Sequence, residues 1–262
     1  MSGFSKQDIE NAKYISKNAV VDISINHDGA KVFFDKLCAN DKKMCSDFIF
    51  INVDAHSDIH INMRHDDVTY ANWVNFIILN YKIDSFYWIV PDWLIKIKKK
   101  SYEKQLLDAG PLNFLYSDLK DGKYSKKVLL NHKDYEIISK EKIATLNKNC
   151  DDFGLDRFYD ENLFKDFTIN MVNIGNLPDL KSKKIFLSID ADFFSNFERK
   201  ENKYPSFLRK KILYNNFSKF LKNLRKKEIQ PDVITLSYSP GFINAEEKKD
   251  ITQFFNLLKQ EQ

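Results

Sequence analysis

The sequence is short of glycine and cysteine, has no apolar run long enough to cross a bilayer, and shows no internal repeat or low-complexity tract. Only 7 glycines stand beside 22 phenylalanines and 12 tyrosines. The three cysteines, Cys38, Cys45 and Cys150, form no CxxC pair and keep no regular spacing. An odd count of this kind predicts reduced, mostly buried thiols in a cytoplasmic protein. The first eight residues, Met1 to Asp8, are polar and lack the apolar segment of a secretory signal. The longest apolar stretches, such as residues 76–79, are far too short for a span, so no membrane partner is expected. An excess of one charge is missing too, since 41 Lys and Arg against 37 Asp and Glu leave a net +4. The densest basic stretch, residues 96–100, lies in an apolar-periodic segment with Trp93, Leu94 and Ile95, which reads as a solvated helix face. No nucleic-acid partner is expected from so weak an electrostatic footprint.

What is present is enough hydrophobic residues, 43% of 262, to build one sizeable core, and residues 1–262 read as a single domain. Short runs rich in β-branched and aromatic residues predict buried strands at 19–25, 47–53, 85–90, 127–130, 184–189 and 232–238. Continuous apolar runs favour a parallel sheet covered on both faces. Between them lie helical patterns, the clearest over 205–227, where Leu208, Ile212, Phe217, Phe220, Leu221 and Leu224 form one stripe. Strands alternating with such helices predict a three-layer α/β/α fold with a mostly parallel sheet. Residues 110–182, broken by Gly110-Pro111, Asp121-Gly122 and Gly175-Asn176-Leu177-Pro178, read as loops and excursions within the domain.

Three of these strands run into acids or imidazoles. The run ending at Val53 continues as Asp54-Ala55-His56-Ser57-Asp58, the run ending at Ile189 as Asp190-Ala191-Asp192, and the run ending at Ile25 as Asn26-His27-Asp28. Ligands of an open parallel sheet bind beyond the carboxyl ends of its strands. The period of an extended chain would turn Asp54, His56 and Asp58 to one side, and would place Asp190 and Asp192 together. Four carboxylates in one crevice would repel and raise one another's pKa unless cations balance them. Two divalent ions would neutralise Asp54, Asp58, Asp190 and Asp192, with His27 and His56 completing the set, one on each ion. Oxygen ligands with a few imidazoles suit Mn²⁺ or a related ion better than a thiolate-type Zn²⁺ site. The plainer alternatives are turn-forming or helix-capping aspartates and packed histidines, and Asp28 rivals His27 as the functional group of its segment. Four of the five histidines fall between positions 27 and 65, which makes one of the remainder a candidate proton shuttle.

Val53-Asp54-Ala55-His56-Ser57-Asp58 resembles the Asp-x-His-x-Asp motif of arginases and agmatinases, and Ser188-Ile189-Asp190-Ala191-Asp192 resembles their Ser-x-Asp-x-Asp motif. The chain departs from those enzymes in having Ile25-Asn26-His27-Asp28 for a Gly-Gly-Asp-His element, and Phe193-Phe194-Ser195 after Asp192. Together with Asn75-Phe76-Ile77, Tyr87-Trp88-Ile89-Val90-Pro91 and Ser239-Pro240-Gly241, the second motif is similar to a ureohydrolase-related family that includes the peptide arginases. The likeness spans about residues 20–245. It implies an arginase/deacetylase-like fold, a centre of two Mn²⁺ ions, and His27, Asp54, His56, Asp58, Asp190 and Asp192 as metal ligands. The implied reaction converts an arginine of a ribosomally made precursor peptide to ornithine and urea. The proton donor to the leaving amine has no match, and His60, His65 and His132 are candidates. Glu246 and Glu247 are candidates to hold the guanidinium, or else ordinary acids in the first turn of the last helix, where they favour its dipole. Trp73, Trp88, Trp93 and Phe242 are candidates to line a peptide groove, or else core residues. The rival expectations are a metal-dependent amidine or amide hydrolase acting on a small molecule, and a metal-stabilised binding protein without catalysis.

Overall fold

A computed structural model of the chain describes residues 3–59, 68–92, 106–107, 114–115, 123–131, 136–138, 144, 148, 164–181, 183–195, 206–241, 243 and 245–259. The helices are α1 (Lys6–Ser16), α2 (Gly29–Asn40), α3 (Trp73–Asn80), α4 (Ser206–Lys226) and α5 (Ala245–Lys259). The strands are β1 (Val20–Ser24), β2 (Ser46–Val53), β3 (Lys82–Ile89), β4 (Leu106–Leu107), β5 (Phe114–Leu115), β6 (Lys123–Asn131), β7 (Glu136–Ile138), β8 (Phe164–Val172), β9 (Lys184–Asp190) and β10 (Val233–Ser237).

Eight strands form one sheet in the order β1-β10-β9-β2-β3-β8-β6-β7. The six from β1 to β8 in that order are parallel, and β6 and β7 continue the sheet antiparallel. Helices cover both faces, so the three-layer α/β/α architecture expected from the sequence is the one present. Two expectations are corrected. The run at 127–130 belongs to an antiparallel strand, and β8, within a region expected to be irregular, lies between β3 and β6. Lys165, Asp166 and Asn170 interrupt the apolar run of β8, which hides a strand paired on both sides.

The chain passes from β2 outward to β3 and β8, then returns to β9 and β10 on the other side of β2. The strand order therefore reverses between β2 and β9, and the crevice beyond their carboxyl ends is the natural ligand position of such a sheet. The two faces differ in kind. Ile49, Ile51 and Val53 of β2, Ile185, Leu187 and Ile189 of β9, and Ile234 and Leu236 of β10 pack with α1, α4 and α5. On the other face Phe48 and Phe50 of β2 and Phe186 of β9 pack with Phe34 of α2 and Trp73 of α3. The Phe34 and Phe186 rings stack at 4.4 Å, as do Phe50 and Phe186 at 5.0 Å. Each such buried ring contributes roughly 1.5–3 kcal/mol. By the two-residue period, the next positions on this aromatic face are Asn52 and Asp54, Ser188 and Asp190, and Thr235 and Ser237. The face thus changes from aromatic to polar as the strands reach the crevice, while the opposite face stays aliphatic.

The thiol expectation is also corrected. Cys38, near the end of α2, is disulfide-bonded to Cys45, their Cα atoms 5.5 Å apart. A short 3-10 turn (Lys42–Cys45) reverses the chain after α2, which brings two cysteines seven residues apart face to face. Both are buried, as expected, but they are paired; Cys150 lies outside the described residues. Among the described residues no helix is long and apolar enough to cross a membrane.

Candidate metal centre

The six expected ligands converge on the crevice between β2 and β9. They form two groups that share Asp54: His27, Asp54 and Asp190 in one, and Asp54, His56 and Asp192 in the other. Asp58 joins the first group, its Oδ2 2.8 Å from His27 Nδ1. The Asp54 carboxylate is divided between them. Its Oδ2 lies 3.0 Å from His27 Nδ1, and its Oδ1 faces His56, 3.7 Å from that residue's Nδ1.

Turns, not extended chain, produce this convergence. β2 ends at Val53, and Asp54 Oδ1 accepts the backbone N–H of His56 at 2.8 Å, folding the segment back. Asp58 has a φ of 51°, a left-handed conformation that few non-glycine residues adopt. After β9, Asp190 Oδ1 likewise accepts the N–H of Asp192 at 3.1 Å, opening a 3-10 turn (Ala191–Phe193). Asp190 and Asp192 are consequently not side by side as an extended chain would have them. Asp190 Oδ2 lies 3.2 Å from His27 Nδ1, while Asp192 Oδ2 lies 2.8 Å from His56 Nδ1. His27 comes from the turn before α2, with Asp28 as the N-cap position of that helix, which settles their rivalry in favour of His27 as the crevice residue.

The donor geometry suits a cation. His27 Nδ1 is buried and lies 2.8–3.2 Å from three carboxylate oxygens, yet none is placed to form a hydrogen bond with it. Adjacent ligands of an octahedral ion with bonds of about 2.1 Å stand about 3.0 Å apart, which is the spacing of these atoms. The other ring nitrogen, Nε2, lies 2.9 Å from Ser188 Oγ, which accepts from Thr235 Oγ1 at 2.9 Å. With Nε2 as the donor, the Nδ1 lone pair faces the carboxylates, the orientation that a metal-ligating histidine takes. Ser239 Oγ donates to Asp190 Oδ2, and Trp73 Nε1 donates to Asp58 Oδ2 at 2.6 Å. The Ala55 N–H donates to Asp192 Oδ1 at 3.2 Å, and Trp88 Nε1 to the Asp54 carbonyl at 3.1 Å.

Without a cation the group is electrostatically uncomfortable. Burial and then the charge of Asp58 push the Asp54 carboxyl up to about 7. Burial and Asp192 raise Asp190, and burial and Asp54 raise Asp192. Burial opposes charging of His27, but Asp190, Asp54 and Asp58 more than offset it and hold the imidazole well above its ordinary range. Burial also opposes charging of His56, yet the Asp192 contact and charge raise it to about 10. Raised carboxyls and raised imidazoles in one cluster mark a site with surplus negative charge. These buried His/Asp clusters could hold metal ions.

The two groups differ in access. The His27 side chain is 1% exposed, whereas that of His56 is 34% exposed. A separate cavity of about 300 Å³ lies past the end of β3, lined by Val90, Pro91, Asp92, Phe193, Lys219 and Phe220 and by no residue of the two groups. Its walls continue the centre's own backbone, since Asp54 N–H donates to Ile89 O, just before Val90, and Phe193 follows Asp192.

The remaining candidates fare differently. His60, His65, His132, Trp93, Phe242 and the basic stretch 96–100 lie outside the described residues. Glu246 stands exposed on α5, its carboxylate paired with Arg209 at 2.5 Å. Glu247 is half-buried and accepts from Ser195 Oγ at 2.7 Å, which ties it to the segment carrying Asp192. Trp73 and Trp88 are fully buried, and they bond to the Asp58 carboxylate and the Asp54 carbonyl respectively. Sequence reasoning missed these bonding roles, together with that of Thr235. The signal available was the polar turn of one sheet face at positions 52, 188, 235 and 237. No protein-family model and no curated protein matches the chain.

Proposed function

We propose that the protein is a hydrolase dependent on two divalent ions, manganese foremost, that converts a peptidyl arginine to ornithine and urea. The observation that carries this reading is the division of one buried carboxylate, Asp54, between two His/Asp groups. His27, Asp58, Asp190 and one oxygen of Asp54 would hold the first ion; His56, Asp192 and the other oxygen of Asp54 the second. Two such ions, when bound, would lower the pKa of a water and so supply hydroxide near neutral pH for attack on the guanidinium carbon. Ser188 holds the His27 ring with Nδ1 toward the carboxylates, and Ser239 and Trp73 hold Asp190 and Asp58. The exposed edge of His56 leaves the substrate a side from which to enter.

The reaction adds water across the guanidinium carbon. The bond from that carbon to the side-chain nitrogen breaks, the nitrogen leaves protonated as the ornithine amine, and urea departs. The arginine and peptide assignments rest on the resemblance of the motifs around Asp54-His56-Asp58 and Asp190-Ala191-Asp192-Phe193-Phe194-Ser195. Incubation of the purified protein and Mn²⁺ with arginine-containing peptides tests them by mass spectrometry and urea assay. Ornithine-containing product with urea is expected. Turnover of agmatine or an acetylated amine, with peptides untouched, would move the assignment to a small-molecule amidine or amide hydrolase. No turnover of any of these by the metal-loaded protein would leave a binding role.

A further inference from the structure

We infer that Trp73 is a positioning residue of the centre, setting the affinity of its buried half through the single hydrogen bond to Asp58; this rests on the metal-binding reading above. Trp73 opens α3 and is fully buried. Its indole N–H donates to Asp58 Oδ2 at 2.6 Å, and the same oxygen stands 2.8 Å from His27 Nδ1. Its ring lies 4.7 Å from the His27 ring and 5.6 Å from that of Phe50. One side chain therefore touches two members of the His27 group and anchors them to the aromatic layer beneath.

The chemistry of the donor explains why an indole serves here. A carboxylate oxygen has two lone-pair directions, and the indole N–H takes one, leaving Oδ2 a single direction toward an ion. Indole donates without carrying charge, so it orients the carboxylate without opposing the cation, as a lysine or arginine would. Asp58 needs such a restraint, because its backbone is held at a φ of 51° and turns in the reverse sense from an ordinary residue. Trp88 provides an internal contrast: it donates to the main-chain carbonyl of Asp54 and not to a ligand atom.

Trp73→Phe keeps the ring and removes the donor. Calorimetric Mn²⁺ titration of the chelator-treated protein should show one of two ions bound about 10- to 100-fold more weakly, the range for partners of metal ligands, and the other little changed. In an Asp58→Asn background the same substitution should add less than about threefold, because both changes act on one bond. A lower melting temperature of the metal-free Trp73→Phe protein with both Mn²⁺ affinities at wild-type values would overturn the inference and leave Trp73 a packing residue. Wild-type protein that binds no Mn²⁺ would instead overturn the metal reading itself. Should the variant fail to fold, ¹⁵N-tryptophan-labelled wild-type protein titrated with Zn²⁺ decides: the Trp73 indole N–H resonance, separated from that of Trp88 by a Trp88→Phe control, is expected to move in step with saturation. Indole resonances that stay in place through saturation would overturn the inference.

Discussion

The two halves of the crevice use the same residue types and differ in their surroundings. The His27 half is sealed, backed by Ser188, Ser239 and Trp73, and built on the sheet face that is otherwise aromatic. The His56 half is open at the imidazole. A sealed, fully partnered ligand set holds an ion tightly, and an open one leaves room for substrate. On the proposed reading the first half would hold its ion and the second would face the substrate, with Asp54 joining them.

The largest effect is expected where the halves meet. Asp54→Asn should weaken both ions by more than about 100-fold, beyond the loss typical of an outer-shell partner, as read by metal analysis after dialysis. Loss of one ion alone would break the joined picture. Next come the two histidines. His27→Ala leaves buried carboxylates without their partner and should lower the stability of the metal-free protein by about 3–5 kcal/mol. His56→Ala, whose imidazole is a third exposed, should cost less than His27→Ala in urea unfolding while removing one ion. Equal losses would erase the contrast between the halves.

A smaller, graded effect is expected with pH. The Asp54 carboxyl is raised to about 7, so between its ordinary value near 3.8 and 7 the folded state binds more protons than the unfolded one. Stability therefore falls as pH rises through that window. His56 is raised to about 10, so its charge stabilises fully below its ordinary 6.5 and that contribution is lost as pH rises through 10. Both act in one direction. The melting temperature in chelator should decline from pH 5 to 9, and saturating Mn²⁺ should flatten the decline; a rise in chelator would contradict the charge balance described. The smallest effect is expected at Glu246, whose exposed pair with Arg209 is worth about 1 kcal/mol or less. Glu246→Ala should leave Mn²⁺ affinity unchanged in the same titration.

Much of this was legible in the residues. The strand runs ending at Val53 and Ile189 were plain because their apolar stretches are unbroken, and the acids behind them followed from where such strands place ligands. β8 was hidden because Lys165, Asp166 and Asn170 interrupt it; Asn170 is accommodated by donating to Phe86 O at 3.0 Å. The six converging residues were readable, but their division into two groups was not. Extended alternation puts Asp190 beside Asp192, and only the turn closed by the Asp190 carboxylate sends them to different histidines. The partners Trp73, Ser239 and Thr235 come from α3, the segment after β10 and β10 itself, so no local pattern connects them to residues 54–58 or 190–192. The Cys38–Cys45 bond depended on the turn after α2, which spacing alone does not reveal.

The central claim is a pair of ions joined through Asp54, and electron paramagnetic resonance of the Mn²⁺-titrated wild-type protein tests it most directly. The account predicts two Mn²⁺ per chain with an exchange-coupled spectrum at saturation. One ion per chain, or two with independent signals, would contradict it.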